Sequence, residues 1–237
     1  MRSRIAVWAA LAVFLLLGAG LVLALPGRQP ATALPEQAPA TTPQVLDSPV
    51  PAQSYSIDGE QNRIHLGLGD LRQAVAAGLV PEDTRSILRV DEKMRHGQFV
   101  WQDDNKATGP LTVWVDLDRQ LVSAYRGGHE IGTSVILYGA EGHASPTGVF
   151  PILRKNEDYH SRAYDAPMPY SLWLTDDGVA LHGSDVRWGR ATHGCIGVPV
   201  DFARRLFEIA GKGDVVRIIR SSQIVAANSN AAGATAG

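Results

Sequence analysis

Leu111-Thr112-Val113-Trp114-Val115-Asp116-Leu117 sets an apolar residue at every second position. Side chains of a strand alternate between its two faces, so Leu111, Val113, Val115 and Leu117 share one face, as in a half-buried strand. Working outward, Asp118-Arg119-Gln120 turns the chain into a second strand at 121–125, and Gly127-Gly128 turns it again into a third at 131–137. Ser145-Pro146-Thr147-Gly148 reads as a turn before a strand at 149–153. Strands at 170–174 and 179–182 flank Asp176-Asp177-Gly178, a hairpin signal. Asp201 is placed to cap a helix carrying Phe202, Leu206, Phe207 and Ile209, closed by Gly211, and 215–219 is a last strand. About six to eight strands against one good late helix predict a mainly β fold with helical decoration (α+β), a sandwich or half-barrel, and not a parallel βαβ sheet.

Upstream the pattern is helical. Asp70 is placed to cap a helix with Leu71, Val75 and Leu79 on one side and Gly78 near its end. Pro81-Glu82-Asp83 reads as the opening of a second short helix toward Ile87 and Leu88. The polar stretch 91–109 around Phe99-Val100-Trp101 has no assignment, so 57–110 is an N-terminal extension of undefined structure.

The chain ends carry their own signals. After Met1-Arg2-Ser3-Arg4, residues 5–25 run without a charged side chain. At 1.5 Å per residue they span roughly 30 Å, the hydrocarbon thickness of a bilayer. Residues 1–25 therefore read as a transmembrane signal-anchor, with Arg2 and Arg4 cytoplasmic and the rest of the chain outside. Ala31-Thr32-Ala33 offers a late cleavage site, which would release the protein to the periplasm. Residues 26–56 hold seven of the fourteen prolines, at 26, 30, 35, 39, 43, 49 and 51. Such a segment buries too little apolar surface to order itself, and reads as a tether reaching at most about 90 Å. The Ala-, Ser- and Asn-rich stretch 221–237 reads as a disordered tail. A net charge of −2, without a basic run beyond the N-terminus, leaves no nucleic-acid footprint.

The one cysteine of the chain lies in Thr192-His193-Gly194-Cys195-Ile196-Gly197, and His182-Gly183 stands upstream at a predicted strand end. A lone cysteine in an exported protein has no disulfide partner within its chain. It is either an inert buried side chain or a working thiol. The glycines argue for a turn and the flanking histidines for chemistry. A thiolate is the nucleophilic form, and an imidazole can take the thiol proton and return it to a leaving amine. His182 is the candidate base. His193, two residues from Cys195, takes an auxiliary role. The amides of Gly194 and Cys195 are candidate oxyanion donors. Zinc on His182, His193 and Cys195 is the rival chemistry, but no further cysteine or carboxylate stands at ligand spacing. The other histidines, His143 and His160 among them, read as solvated surface groups.

At these residues the sequence resembles the L,D-transpeptidase (YkuD-type) catalytic domain. His182-Gly183 and Thr192-His193-Gly194-Cys195 are similar to that family's paired motifs. The segment from Val115 through Asp116-Leu117-Asp118-Arg119-Gln120 to Leu121 looks like its opening hairpin, Ser145-Pro146-Thr147-Gly148-Val149-Phe150 like its Thr-Pro-x-Gly-x-Phe turn, and Met168-Pro169-Tyr170 like the segment before the catalytic hairpin. The resemblance spans about 111–220. It implies a peptidoglycan L,D-transpeptidase without a cofactor or metal, in which Cys195 attacks a stem peptide and passes the acyl group to an amine. Hydrolysis at the same site (an L,D-carboxypeptidase or endopeptidase) and a non-catalytic wall-binding module are the alternatives. It further implies that Gly183 orients the base through its carbonyl and that carbapenem-type β-lactams are covalent inhibitors. Two departures stand out. The loop from His182 to Thr192 is short, though it offers Arg187, Trp188 and Arg190 for substrate. Gly197 also stands where the family commonly has Arg or Asn.

Overall fold

The computed structural model describes residues 54–56, 62–102 and 107–234. The apolar stretch 5–25 and the tether up to residue 53 lie outside the described residues. Among those described, no helix is long and apolar enough to cross a membrane. In chain order the elements are β1 (Ser54–Ser56), β2 (Arg63–His65), α1 (Leu68–Ala76), β3 (Ser86–Leu88), β4 (Phe99–Trp101), β5 (Leu111–Asp116), β6 (Leu121–Arg126), β7 (His129–Val135) and β8 (Gly148–Pro151). They continue with β9 (Arg154–Asn156), β10 (His160–Ser161), β11 (Ala166–Pro167), β12 (Ser171–Trp173), β13 (Ala180–Ser184), β14 (Ile196–Pro199), α2 (Val200–Ile209), β15 (Val215–Ile219) and α3 (Ser221–Ala234). The protein is mainly β with a few helices, as the alternation predicts.

The large sheet runs β1-β4-β7-β6-β5-β15-β8, with β2 and β3 attached beside β7. The meander β5–β6–β7 is antiparallel, whereas β15 returns parallel to β5. A second sheet runs β14-β13-β12-β9, and β10–β11 is a small separate hairpin. Between the two sheets and α2 lies one apolar core. Val113, Val115, Val122 and Ile218 enter it from the large sheet, Leu172, Leu181 and Ile196 from the small one, and Phe202 and Leu206 from α2. The sheets are stitched where β14 meets the chain leaving β7: Leu137 and Gly197 exchange both backbone hydrogen bonds, at 2.8 and 2.9 Å. This seam sits two residues from Cys195.

Several expectations need correction. Pro81-Glu82-Asp83 opens no helix. Thr84 N–H bonds to Pro81 C=O, and Arg85 N–H is then taken by Gly128 C=O at 2.7 Å. Ser86 is buried and bonded to Arg63 and His129, so the segment becomes strand β3 rather than helix. Phe99-Val100-Trp101 is strand β4 against β7. The last three residues of the expected tether, Ser54–Ser56, pair in parallel with β4. Asp70 and Asp201 lie inside the first turns of α1 and α2, whose N-caps are Gly67 and Pro199. The expected disordered tail is helix α3 over Ser221–Ala234. Alanine is the best helix former, and Asp118 of the β5–β6 turn caps the new helix by accepting the Ser222 amide at 3.0 Å. Farther along, the Asn228 amide group donates to Ala76 C=O at the end of α1.

Candidate functional site

The small sheet sorts its residues into rows by register. Leu172, Leu181 and Ile196 pair across β12, β13 and β14 and face the core. Alternation turns the neighbouring rows to the opposite face. One row runs Arg154, Trp173 and Ala180 and continues to Cys195, which immediately precedes β14. The next row holds Asn156, Ser171, His182 and Gly197. His182 and Cys195 thus share a face on adjacent parallel strands, one row apart. Residues 13 positions apart in sequence are neighbours because the strands run parallel and the loop between them is short.

His182 is only 7% exposed. Its Nδ1 lies 2.8 Å from Gly183 C=O. A carbonyl oxygen only accepts, so Nδ1 carries the proton and Nε2 is left as the acceptor. Burial holds the imidazole below its ordinary range, with the Gly183 carbonyl acting weakly the other way. The Cys195 thiol packs against the buried cluster of Met168, Trp173 and Ala180, as Tyr159 also does, and contacts Gly178 C=O at 3.7 Å. Burial pushes this thiol up, offset in part by a backbone hydrogen bond from Ala180. The resting pair at neutral pH is therefore a neutral thiol and a neutral imidazole. Beside it, the Nε1–H of Trp173 is buried without a partner among the described residues.

The backbone around the thiol is braced. Thr192 Oγ1 donates to Cys195 C=O at 2.6 Å, and Thr192 N–H to Tyr138 C=O at 2.9 Å. Gly194 has φ +110°, a region that a side chain enters only with strain. At Gly183 the restriction is steric: an added Cβ would stand 3.0 Å from Pro169 Cγ and 3.1 Å from Pro169 O. The Gly183 amide is itself spent on Pro169 C=O, at 2.8 Å.

His193 has aromatic neighbours on two sides. It stacks on Tyr164, ring centroids 4.3 Å apart, and meets His143 edge-on at 5.0 Å. Tyr164 is 55% exposed at the tip of the β10–β11 hairpin. Sequence reasoning missed both partners of His193, because His143 and Tyr164 carry no local motif. Among the described residues, no three His, Cys, Asp or Glu side chains stand together to hold a metal.

Arg187, Trp188 and Arg190 each have neighbours of their own. Arg187 is paired with Asp185 at 2.8 Å. Trp188, 81% exposed, meets His96 edge-on, and with Arg190 it lines a groove of about 370 Å³ that also takes in Gln120, Tyr138 and Glu141. Gly197 is crowded: an added Cβ would stand 3.0 Å from Ser184 Cβ and 3.4 Å from Leu137 Cβ. Ser184 fills the space in which a longer side chain at 197 would begin.

Residues 110–218 match the L,D-transpeptidase catalytic domain, known as YkuD. Among solved structures, an L,D-transpeptidase from Stackebrandtia nassauensis is 25% identical, with 49% of this chain and 60% of that one covered and a TM-score of 0.43. A cysteine-to-serine mutant of the Enterococcus faecium L,D-transpeptidase is 26% identical, with 52% and 58% covered and a TM-score of 0.41. L,D-transpeptidase 3 from Mycobacterium tuberculosis, solved with a faropenem-derived adduct, is 16% identical, with 46% and 59% covered and a TM-score of 0.41. The chain spans about 60% of the length of these structures. No curated protein matches it. The segment 110–218 that matches the L,D-transpeptidase catalytic domain is the one that carries His182 and Cys195.

Proposed function

We propose that this protein is a cysteine acyltransferase that forms an acyl-enzyme on Cys195 with a peptidoglycan stem peptide and hands it to an amine. The observation that carries this reading is the His182–Cys195 arrangement. The two side chains share a sheet face, and the Gly183 carbonyl holds Nδ1 protonated, which leaves Nε2 free as a base. In the reaction, Nε2 takes the Sγ proton as sulfur attacks the stem carbonyl. The amides of Gly194 and Cys195 receive the oxyanion, and collapse expels the terminal amine, which takes the proton from His182. The acceptor amine repeats these steps in reverse, losing its proton to Nε2 and releasing the thiol. The apolar wall of Met168, Trp173 and Ala180 keeps water scarce around the thioester and favours an amine over hydrolysis. His193, between Tyr164 and His143, lines the mouth of the site rather than moving the proton.

Carbapenem-type β-lactams acylate the same sulfur in this reading, in keeping with the imipenem and faropenem-derived complexes of proteins with similar structures. Residues 5–25 would hold the domain on the outer side of the cytoplasmic membrane, within reach of the wall; this rests on their composition alone. The test is incubation of the full chain with a tetrapeptide stem and a D-amino acid, read by mass spectrometry. Exchange product formed by the wild type and lost in Cys195→Ala is expected. Release of the terminal residue without exchange would overturn amine transfer in favour of hydrolysis, and no turnover at all would overturn the reading.

A further inference from the structure

Several chain segments leave the large sheet at one end and meet there. β1 runs parallel to β4 with Ser54 opposite Phe99, and Phe99 lies opposite Ser134 of antiparallel β7. Past that row the chain leaving β7 continues as 136–141, the turn before β4 brings His96, and Gln120 C=O accepts the Ile136 amide at 3.0 Å. All of these line the groove of about 370 Å³, which Trp188 and Arg190 border from the loop before Thr192. Its floor is bonded to the chain that carries the thiol. Thr192 N–H donates to Tyr138 C=O at 2.9 Å, and Ala140 N–H to Thr192 C=O at 3.0 Å. Because β1 and β4 run the same way, the chain upstream of Ser54 heads toward this same end. It reads Ser48-Pro49-Val50-Pro51-Ala52-Gln53 and lies outside the described residues. At about 3.3 Å per residue, Ile136 stands roughly 7 Å and Tyr138 roughly 13 Å beyond the row of Ser54. An extended upstream chain sets Pro51 at about 10 Å and Pro49 at about 16 Å along the same direction. His96 belongs to the β4 chain, so its edge-on contact with Trp188 places the indole at the edge of the groove nearer β1.

We propose that the proline-rich residues 48–53 dock in this groove as a polyproline II strand, with Pro49 and Pro51 against Trp188 and Tyr138. Proline fixes φ near about −65°, so such a segment is already extended and loses little freedom on docking. Its backbone offers carbonyls and, at each proline, has no N–H to satisfy. Aromatic-lined grooves take segments of this kind by packing against the proline rings. Here Trp188, Tyr138 and His96 supply the aromatic faces, and Gln120 and Arg190 carry N–H donors for the carbonyls. Trp188, 81% exposed, has most of its indole left to cover, and a fully packed tryptophan buries about 150–250 Å². The occupant is this chain's own tether end. Docking sets where the upstream chain leaves the domain, beside the segment from Thr192 to Cys195, and is independent of acyl transfer at the thiol.

The test is disulfide trapping in the full chain in detergent, on a Cys195→Ala background that leaves no native thiol. Val50→Cys is combined either with Ala191→Cys in the groove or with Ala227→Cys on α3, beside β15 and β8 at the opposite edge of the sheet. Iodoacetamide rates of the single-cysteine variants correct for exposure, and thermal melts report that each variant is folded. Cross-linking within one chain, read by intact mass, should run about tenfold or more faster for the groove pair than for the α3 pair, as a raised effective concentration requires. Trp188→Ala, or Pro49→Gly together with Pro51→Gly, should slow the groove pair about threefold or more and leave the α3 pair unchanged. Trp188→Phe, which keeps an aromatic face, should retain most of the rate. Equal rates for the two pairs overturn the docking. A groove pair unslowed in the folded double glycine variant overturns the polyproline mode. Cross-links that form only between two chains and rise with concentration give the groove to a second copy. Binding of a chitin tetramer that is lost in Trp188→Ala, with equal rates for the two cysteine pairs, gives it to a sugar chain. Either of these last results overturns the assignment to the tether.

Discussion

Gly197→Asn is the substitution that best probes why this chain departs from the family at that position. The backbone cannot yield there, because Gly197 exchanges two hydrogen bonds with Leu137 at the seam between the sheets. A Cβ would meet Ser184 Cβ at 3.0 Å and Ser184 Oγ at 3.3 Å, with Leu137 Cβ at 3.4 Å. Gly197 is not among the residues with positive φ, so the cost is one of space, not of backbone strain. Overpacking of this kind costs roughly 1–3 kcal/mol. At about 2–4 °C per kcal/mol for a domain of this size, Tm should fall by about 2–12 °C. The tightest contact is Cβ to Cβ, so Ser184→Ala should not relieve it whereas Ser184→Gly should. A double-mutant cycle by thermal and urea unfolding should return a favourable coupling of about 1–2 kcal/mol between Asn at 197 and Gly at 184, and none between Asn at 197 and Ala at 184. A Gly197→Asn protein within about 0.5 kcal/mol of wild type, the range of ordinary surface changes, would refute the crowding argument. So would equal rescue by Ala and Gly at 184.

Cys195→Ala should abolish stem acylation and the single-drug mass increase expected with a carbapenem, while Tm moves by no more than about 2–4 °C, read by intact-mass spectrometry and calorimetry. His182→Ala should slow alkylation of Cys195 by iodoacetamide at pH 7 about tenfold or more, with recovery as pH rises toward the thiol's elevated range, whereas His193→Ala should leave that pH profile in place. Because His182 is held below its ordinary range, its contribution to stability is present above about pH 6.5 and is lost as pH falls through its folded value. His182→Gln should remove that part of the acid dependence in urea melts. Burial raises Glu130 to about 7 despite the Leu88 amide at 2.7 Å and the nearby Arg63. Its protonated form is the one the fold prefers, so its contribution is full below about pH 4.5 and fades as pH rises through about 7. Glu130→Gln should flatten the stability profile over that window, by up to a few kcal/mol.

The sequence by itself determined what local patterning determines. The alternation from Leu111 to Leu117 and the hairpin turns at Asp118-Arg119-Gln120 and Asp176-Asp177-Gly178 made β5, β6, β12 and β13 legible, because strand period and turn chemistry are properties of a few consecutive residues. His182-Gly183 and Thr192-His193-Gly194-Cys195 were legible for the same reason. What stayed hidden depends on partners far along the chain. Ser86 becomes a strand residue through bonds to Arg63 and His129, and α3 starts where Asp116 and Asp118, more than one hundred residues earlier, accept the Ser221 and Ser222 amides. Arg187, Trp188 and Arg190 lie near Cys195 in sequence, but their partners Asp185 and His96, and the groove that Trp188 and Arg190 line, became visible only in the fold. Arg154 and Tyr164 lacked any motif; register sets Arg154 beside Trp173, and the β10–β11 hairpin sets Tyr164 on His193. Local chemistry thus names a candidate sulfur and a candidate base. Only strand register, which depends on which buried faces must coincide, decides which other side chains they can work with.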